Sequence, residues 1–257
     1  MLEKKRTRHH GGHRDRYEGG DPDKLYLLLI GASGGVGHIA CQIAKAISPN
    51  IIVTAVCSSR NIETVKKLLT DDDHIIDYQK HASASHGENI KSFAQEMRQI
   101  LSKNVEKVNF FLREPYMKTP SKPKINGKFD IVFDTVSSTE GKDLKPFNYR
   151  TLIRDENLLS NESPYVTIGG SLSEWFKAGL KRTFNLYSFS DNNELFWVRF
   201  PYSRNVLEKL SRFCEEGKVK PIIGNQPVPL SEESVMGAFE MLHSRRVVGK
   251  IVLKGFE

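Results

Sequence analysis

An α/β architecture, a doubly wound parallel sheet with helices on both faces, is expected from three features of this 257-residue chain. First, a strand, a turn and a helix follow one another without a gap: the apolar run Leu25 to Ile30 breaks at Gly31, and a helical pattern begins behind Gly35. Second, further strand-sized apolar runs recur along the chain, at Ile51 to Val56, Ile75 to Tyr78, Phe129 to Val136, a run from Tyr165 that ends at Gly169, and Phe184 to Ser190. Third, stretches with helical spacing separate them, as crossovers between parallel strands require. With 39% hydrophobic residues, the chain has enough apolar material for a globular core.

Residues 1–24 are expected to form a disordered basic arm. They contain no apolar core segment, so neither a signal sequence nor a membrane span is expected. His9, His10 and His13 sit among glycines and arginines, a composition that suits an unordered arm better than a specific metal site. The arginine-rich start weakly matches a mitochondrial presequence, but Glu3, Asp15 and Glu18 count against it. The net charge of +7 raises nucleic acid as a partner. The basic stretches lack interleaved aromatics, so they are taken as solvated surface and no nucleic acid is expected. Cys41, Cys57 and Cys214 follow no metal or disulfide spacing, which suits a reducing compartment.

In the first helix Val36, Ile39, Ala40, Ile43, Ala44 and Ile47 recur at three- and four-residue steps, and Pro49 with Asn50 closes it before the second strand. The result is a βαβ unit with glycines at the strand-to-helix turn. Gly31 lets the chain leave the strand, Gly34 and Gly35 let backbone N–H groups approach a pyrophosphate, and Gly37 lets the helix pack close to the strand. A helix N-terminus favours such an anion through its free amides and its dipole. Ser33, Gly34, Gly35 and Val36 are therefore candidate cofactor-binding residues of a Rossmann-type dinucleotide site, the alternative being a purely structural turn.

The end of the second strand bears on which dinucleotide. Ser58, Ser59 and Arg60 stand where an NAD-preferring protein usually has an acidic residue. Hydroxyls beside a guanidinium suit a 2′-phosphate, so NADPH is expected over NADH. The alternative is that Ser58 or Ser59 caps the next helix, Asn61 to Leu69, and that Arg60 is solvated.

Between Tyr78 and Phe129 the chain spends far more residues than a typical connection needs. Ile90, Phe93, Met97 and Ile100 mark a helix near Glu88 to Ser102, and about 103–128 reads as a low-complexity, proline-bearing insertion on the surface. Asp134 falls at the carboxyl end of the fourth strand, where ligands of open α/β sheets lie, so Asp134, Thr135, Val136 and Ser137 are expected to face the cofactor. Asp134 as a helix cap is the alternative. Gly169 and Gly170 end the fifth strand, either to admit a nicotinamide ring or as a plain turn, and the sixth strand brings Phe189 and Ser190 to the same rim.

In the tail, Arg204 to Glu216 reads as a helix with Val206, Leu207, Leu210 and Phe213 inside and Gly217 at its end. A strand at Val219 to Ile223, a helix at Glu232 to His243 and a closing strand at Gly249 to Leu253 follow.

Taken in order, GASGGVGHIACQIAK, VTAVCSSRN, IIDY, FDIVFDTV and YVTIGG resemble the cofactor domain of medium-chain dehydrogenase/reductases, and the tail LEKLSRFCEEGKVKPIIG…GKIVL is similar to the C-terminal signature of one of their branches. They are most similar to the zinc-independent quinone oxidoreductase (zeta-crystallin) branch with its reticulon-interacting members. The resemblance implies a reductase of quinones or enones (α,β-unsaturated carbonyls) that uses NADPH and no metal. It sets Tyr78 beside the adenosine end, against the alternative of a strand-end aromatic. It turns Arg245 toward the cofactor, with Arg246 adjacent, against the alternative of helix C-terminal cations. It divides the chain into a Rossmann domain at 25–224 and a C-terminal segment of the catalytic domain at 225–257, most of the GroES-like front domain being expected to be missing. No catalytic residue is assigned. A truncated, non-catalytic NADPH-binding or partner-binding protein is the alternative function. A homo-oligomer or a partner chain would cover the exposed tail strands. The expected compartment is cytoplasmic, with mitochondrial as the alternative.

Overall fold

The computed structural model describes residues 24–81, 91–102, 127–136, 149–160, 163–168, 176, 179–180, 193–195, 204–244 and 246–255. All of the expected basic arm but Lys24, and nearly all of the expected insertion, lie outside these residues. Six strands, β1 (Leu25–Ile30), β2 (Ile51–Cys57), β3 (His74–Asp77), β4 (Ile131–Asp134), β5 (Tyr165–Thr167) and β6 (Asn193–Leu195), form one sheet in the order β3-β2-β1-β4-β5-β6. Every pairing in it is parallel. After β3 the chain returns to the far side of β1, so the order reverses between β1 and β4 and opens a crevice at their carboxyl ends.

Helices cover both faces, as a parallel sheet requires. They are α1 (Gly37–Ile47), α2 (Ile62–Lys66), α3 (91–102) and α4 (Tyr149–Asp155). Successive side chains of β1 go to opposite faces. Leu28 and Ile30 join Phe93 and Met97 of α3 and Leu152 of α4 in one core. Leu29 joins Cys41 and Ala44 of α1 and Val65 of α2 in the other. That is why β1 is apolar throughout and does not alternate. Phe93 and Met97 have no exposed surface, and truncating either to Ala would cost roughly 2 to 5 kcal/mol. Lys45 at the end of α1 donates to Asp73 Oδ1 at 3.0 Å, and the same oxygen accepts the Val53 N–H at 2.7 Å, which fixes α1 against β2.

Several elements differ from expectation. The second helix is shorter: Ser59–Asn61 is a 3₁₀ turn, and α2 follows without a side-chain cap, so neither Ser58 nor Ser59 has the capping role. β3 stops at Asp77, and Tyr78 opens a 3₁₀ turn. The sixth place in the sheet is taken by Asn193–Leu195, while Phe184 to Ser190 lies outside the described residues. A three-residue edge strand is held by backbone pairing with β5 and needs no apolar signature.

The tail contains α5 (Arg204–Glu215), β7 (Val228–Pro229), α6 (Glu232–His243) and β8 (Leu253–Lys254). α5 ends as expected, with Gly217 at φ +69° and the Lys218 N–H bonded back to the Phe213 carbonyl. Its expected inner face is only half inside: Leu210 and Phe213 are half-buried, whereas Val206 is 68% and Leu207 54% exposed. Val219 to Ile223 is not a strand. Pro221 has no N–H, and the amides of Lys220 and Ile222 go to side chains of α1. The closing strand shrinks to β8, which pairs in parallel with β7, plus one bridge between Lys250 and Ile223. α6 starts in a capping box: Ser231 Oγ accepts from the Ser234 N–H, and Ser234 Oγ from the Ser231 N–H. Among the described residues no helix is long and apolar enough to cross a membrane.

Candidate cofactor site

The glycine loop leaves β1 at the crevice between β1 and β4. Gly31 has φ +82°, and the N–H groups of Gly31 and Ala32 both donate to the Val56 carbonyl of β2, at 3.1 and 3.0 Å. A Cβ on Gly31 would stand 2.3 Å from Val136 Cγ2 and 2.5 Å from Thr135 Oγ1. A Cβ on Gly37 would stand 2.1 Å from the Gly31 carbonyl oxygen, so the expected close packing of helix on strand is what the backbone has. Gly35 does something the sequence did not suggest. Its missing side chain eases the approach of the Gly249 carbonyl, 3.1 Å from where a Cβ would be, and the Lys250 side chain lies beside it at an ordinary contact distance of 3.5 Å.

At the β2 rim, Ser58 is buried and Arg60 is exposed. The Ser59 hydroxyl donates to Asp77 Oδ2 at 2.6 Å and its N–H to Gln79 Oε1 at 3.1 Å, while the Gln79 N–H donates to Asp77 Oδ1. Ser59 is thus held by β3, and its proton is already committed. Asn61, 8% exposed, donates from Nδ2 to Ser33 Oγ at 2.8 Å and ties this rim to the glycine loop. Neither Asp77 nor Asn61 stood out in the sequence, because each reaches a partner across strands. Tyr78 is half-buried and packs against the core on the α3 face. Burial first, and then the Asp77 charge, pushes the Cys57 thiol up to about 12, so it stays protonated and inert.

At the β4 rim, Thr135 fastens the crevice by donating N–H and Oγ1–H to the Ile30 carbonyl, at 3.1 and 2.8 Å. Asp134 stands at the expected strand end, but it has no exposed surface. Its carboxylate accepts the Tyr165 hydroxyl at 2.5 Å and the Val136 N–H at 3.0 Å. The expectation that its side chain faces a ligand gives way to a buried bond that shapes the turn carrying Val136. Val136 itself is 47% exposed at the mouth of the crevice. Ser137, Gly169, Gly170, Phe189, Ser190 and Arg245 lie outside the described residues.

The tail is clipped onto this loop by two α1 side chains one turn apart. His38 has no exposed surface; its Nδ1–H donates to the Gly34 carbonyl at 2.8 Å, and its Nε2 accepts the Ile222 N–H at 3.1 Å. Burial holds the imidazole below the usual histidine range; the Gly34 bond opposes this and the Lys250 charge adds to it. The Gln42 amide pairs with both backbone groups of Lys220, at 2.9 and 2.8 Å. The Gly249 N–H donates to the Ser33 carbonyl at 3.0 Å. Away from the loop, a groove of about 590 Å³ opens between α6 and the β7–β8 pair, lined by Val228, Met241, Ile251 and Leu253 among others. Among the described residues no three His, Cys, Asp or Glu side chains gather to hold a metal ion.

A parallel sheet in this order, with a glycine turn at the reversal and a helix behind it, defines a dinucleotide-binding class of α/β domain. Within that class the chain belongs to the zinc-binding dehydrogenase family, whose model matches residues 113–253. It is 31% identical over 234 residues to the mitochondrial NAD(P)H oxidoreductase RTN4IP1 of Bos taurus, covering 88% of this chain and 47% of that one. It is 46% identical over 66 residues to the chloroplast envelope quinone oxidoreductase homolog of Arabidopsis thaliana, which is 26% of this chain and 19% of the relative. The solved quinone oxidoreductase of Coxiella burnetii has the same fold, at a TM-score of 0.51 and 20% identity over 90% of this chain and 54% of its own. The resemblance to the quinone oxidoreductase branch therefore holds. The chain spans about half the length of the full-span relative, at 47%. The family's name implies zinc, and the described residues do not fit that ion.

Proposed function

We propose that this chain binds NADPH at the glycine loop and serves its oxidation by a quinone or an enone. The observation that carries the reading is the loop itself, where a Cβ on Gly31 or Gly37 would overlap its neighbours, in a chain 31% identical to an NAD(P)H oxidoreductase. When bound, the nicotinamide supplies a hydride for transfer to the acceptor. In this reading the free amides at the start of α1, with Ser33 to Val36, hold the pyrophosphate. Ser58 shapes the β2 turn, Arg60 meets the 2′-phosphate beside Ser59, whose hydroxyl stays on Asp77, Tyr78 flanks the adenosine, and Val136 excludes water at the crevice mouth. Gly169, Gly170, Phe189 and Ser190 are assigned to the nicotinamide side as the ends of the expected fifth and sixth strands, and Arg245 to the cofactor through the family resemblance. No residue is assigned as proton donor.

Residues 25–224 then hold the cofactor, and 225–257 contribute to the wall of the acceptor site. A second chain, a copy or a partner, is proposed to cover the exposed β7–β8 edge, where Val228 and Leu230 are each 39% exposed. Light scattering that finds only monomer at working concentration would refute a copy there. Three cysteines free of disulfides suit a reducing compartment, cytoplasmic or mitochondrial.

The test is a fluorescence titration with NADPH, followed in the same cuvette by a quinone and then an enone. Saturable binding followed by loss of NADPH absorbance is expected. Binding without turnover would leave a cofactor-binding protein and end the reductase reading.

A further inference from the structure

We propose that Lys250 completes the dinucleotide site: the tail carries its ammonium to the glycine loop, where it pairs with the pyrophosphate of the bound cofactor. This rests on the cofactor reading above and adds a residue to it.

The position of Lys250 is built. Its Nζ and Cδ lie 3.5 Å from where a Gly35 Cβ would stand, so the side chain runs over the turn at contact distance. Its backbone is bonded on both sides, the N–H to the Ile222 carbonyl at 2.8 Å and the carbonyl to the Gly224 N–H at 2.7 Å. Gly249 before it has φ +71°, and a Cβ there would meet the Ile222 carbonyl oxygen at 2.1 Å, so this approach requires glycine. His38 and Gln42 hold the strip from Lys220 to Ile222 against α1, and that strip holds Lys250.

The electrostatics of the place call for an anion. The start of α1 carries the positive end of the helix dipole and free N–H groups, which repel a cation. Lys250 nevertheless sits there, and among the described residues no carboxylate pairs with it. Its charge also helps to hold the neighbouring His38 imidazole neutral. Two like-signed features facing one gap are stabilised by a negative group between them. A pyrophosphate held by the loop amides supplies that group and takes a charge-assisted hydrogen bond from the ammonium. A cation arriving from the tail also makes tail docking and cofactor binding favour each other.

The experiment is isothermal titration of the full chain and its K250M and K250R forms with NADPH and with NADH, with melting temperature as the folding control. K250M is expected to weaken both dinucleotides by the same factor, about tenfold, while K250R stays within about threefold of the unsubstituted chain. If K250M proves too unstable to titrate, K250Q gives the same comparison. Unchanged affinities would overturn the assignment, and so would a loss confined to NADPH, which would put the ammonium on the 2′-phosphate. An unsubstituted chain that binds neither dinucleotide would overturn the cofactor reading, and the role of Lys250 with it.

Discussion

His38 Nε2 accepts the Ile222 N–H at 3.1 Å while its Nδ1–H donates to the Gly34 carbonyl at 2.8 Å, so one neutral imidazole bridges the glycine loop and the tail. The Ile222 amide can only donate, which fixes the tautomer with the proton on Nδ1. Protonating Nε2 would set two donors face to face.

The folded chain therefore resists protonation of His38, through burial first and the Lys250 charge as well. The unfolded chain, with a histidine near 6.5, takes the proton more readily, so stability falls as pH drops below about 6.5 toward the lowered folded value. Thermal melts at pH 7.5 and pH 5.5 should show the drop, and His38→Gln should flatten it. About 1 kcal/mol corresponds to about 2 to 4 °C in a domain of this size. If His38→Gln loses as much on acidification as the parent, other groups are responsible.

Two glycines separate backbone necessity from convenience. Gly37→Ala would drive its Cβ to 2.1 Å from the Gly31 carbonyl oxygen, and since that obstacle is backbone, the cost should be about 2 kcal/mol or more. Gly237 lies inside α6 with nothing within 4 Å of its Cβ position, so Gly237→Ala should stabilise by about 0.5 to 1 kcal/mol. Urea midpoints measure both. A neutral Gly37→Ala would mean that α1 can slide away from β1.

These contrasts show where the chain was legible from its residues alone. Leu25 to Asn50 was read closely, because strand, turn and helix are local and β1 is buried on both faces, so period and composition agreed. Asp134 and Val136 were located on their strand end, but the Tyr165 hydroxyl that takes up the Asp134 carboxylate comes from a strand 31 residues away. His38 and Gln42 read as ordinary positions of an amphipathic helix, and their partners lie 184 and 178 residues further on. The tail was read too regularly: apolar Val219 to Ile223 suggested a strand, whereas α1 side chains take its amides. Polar Asn193–Leu195 carried no strand signal, since an edge strand is defined by its neighbour's backbone.

Thiol chemistry follows burial. Cys41 and Cys57 are buried, and desolvation pushes each thiol up to about 12, whereas Cys214 on α5 is exposed. A disulfide reagent at pH 8 should therefore modify Cys214 rapidly and the other two only when denaturant is added. Rapid reaction of all three thiols in the native chain would show that the α1 and β2 core opens readily.

Cofactor discrimination should fall on Arg60. The Ser59 hydroxyl gives its proton to Asp77 at 2.6 Å, so it meets a phosphate only by breaking that bond, and the buried carboxylate behind it repels the same phosphate. Arg60 is exposed at the rim and is the cation that β2 delivers there. Arg60→Glu should weaken NADPH about tenfold or more and leave NADH within about threefold, because only the former carries a 2′-phosphate for the new carboxylate to oppose. Asp77→Asn tests the other half: removing the negative charge while keeping a group that can bond Ser59 should shift the ratio of affinities toward NADPH. Parallel titrations with both dinucleotides read each ratio directly. If Arg60→Glu lowers both affinities equally, Arg60 does not touch the 2′-phosphate, and preference for NADPH would have to come from elsewhere on the rim.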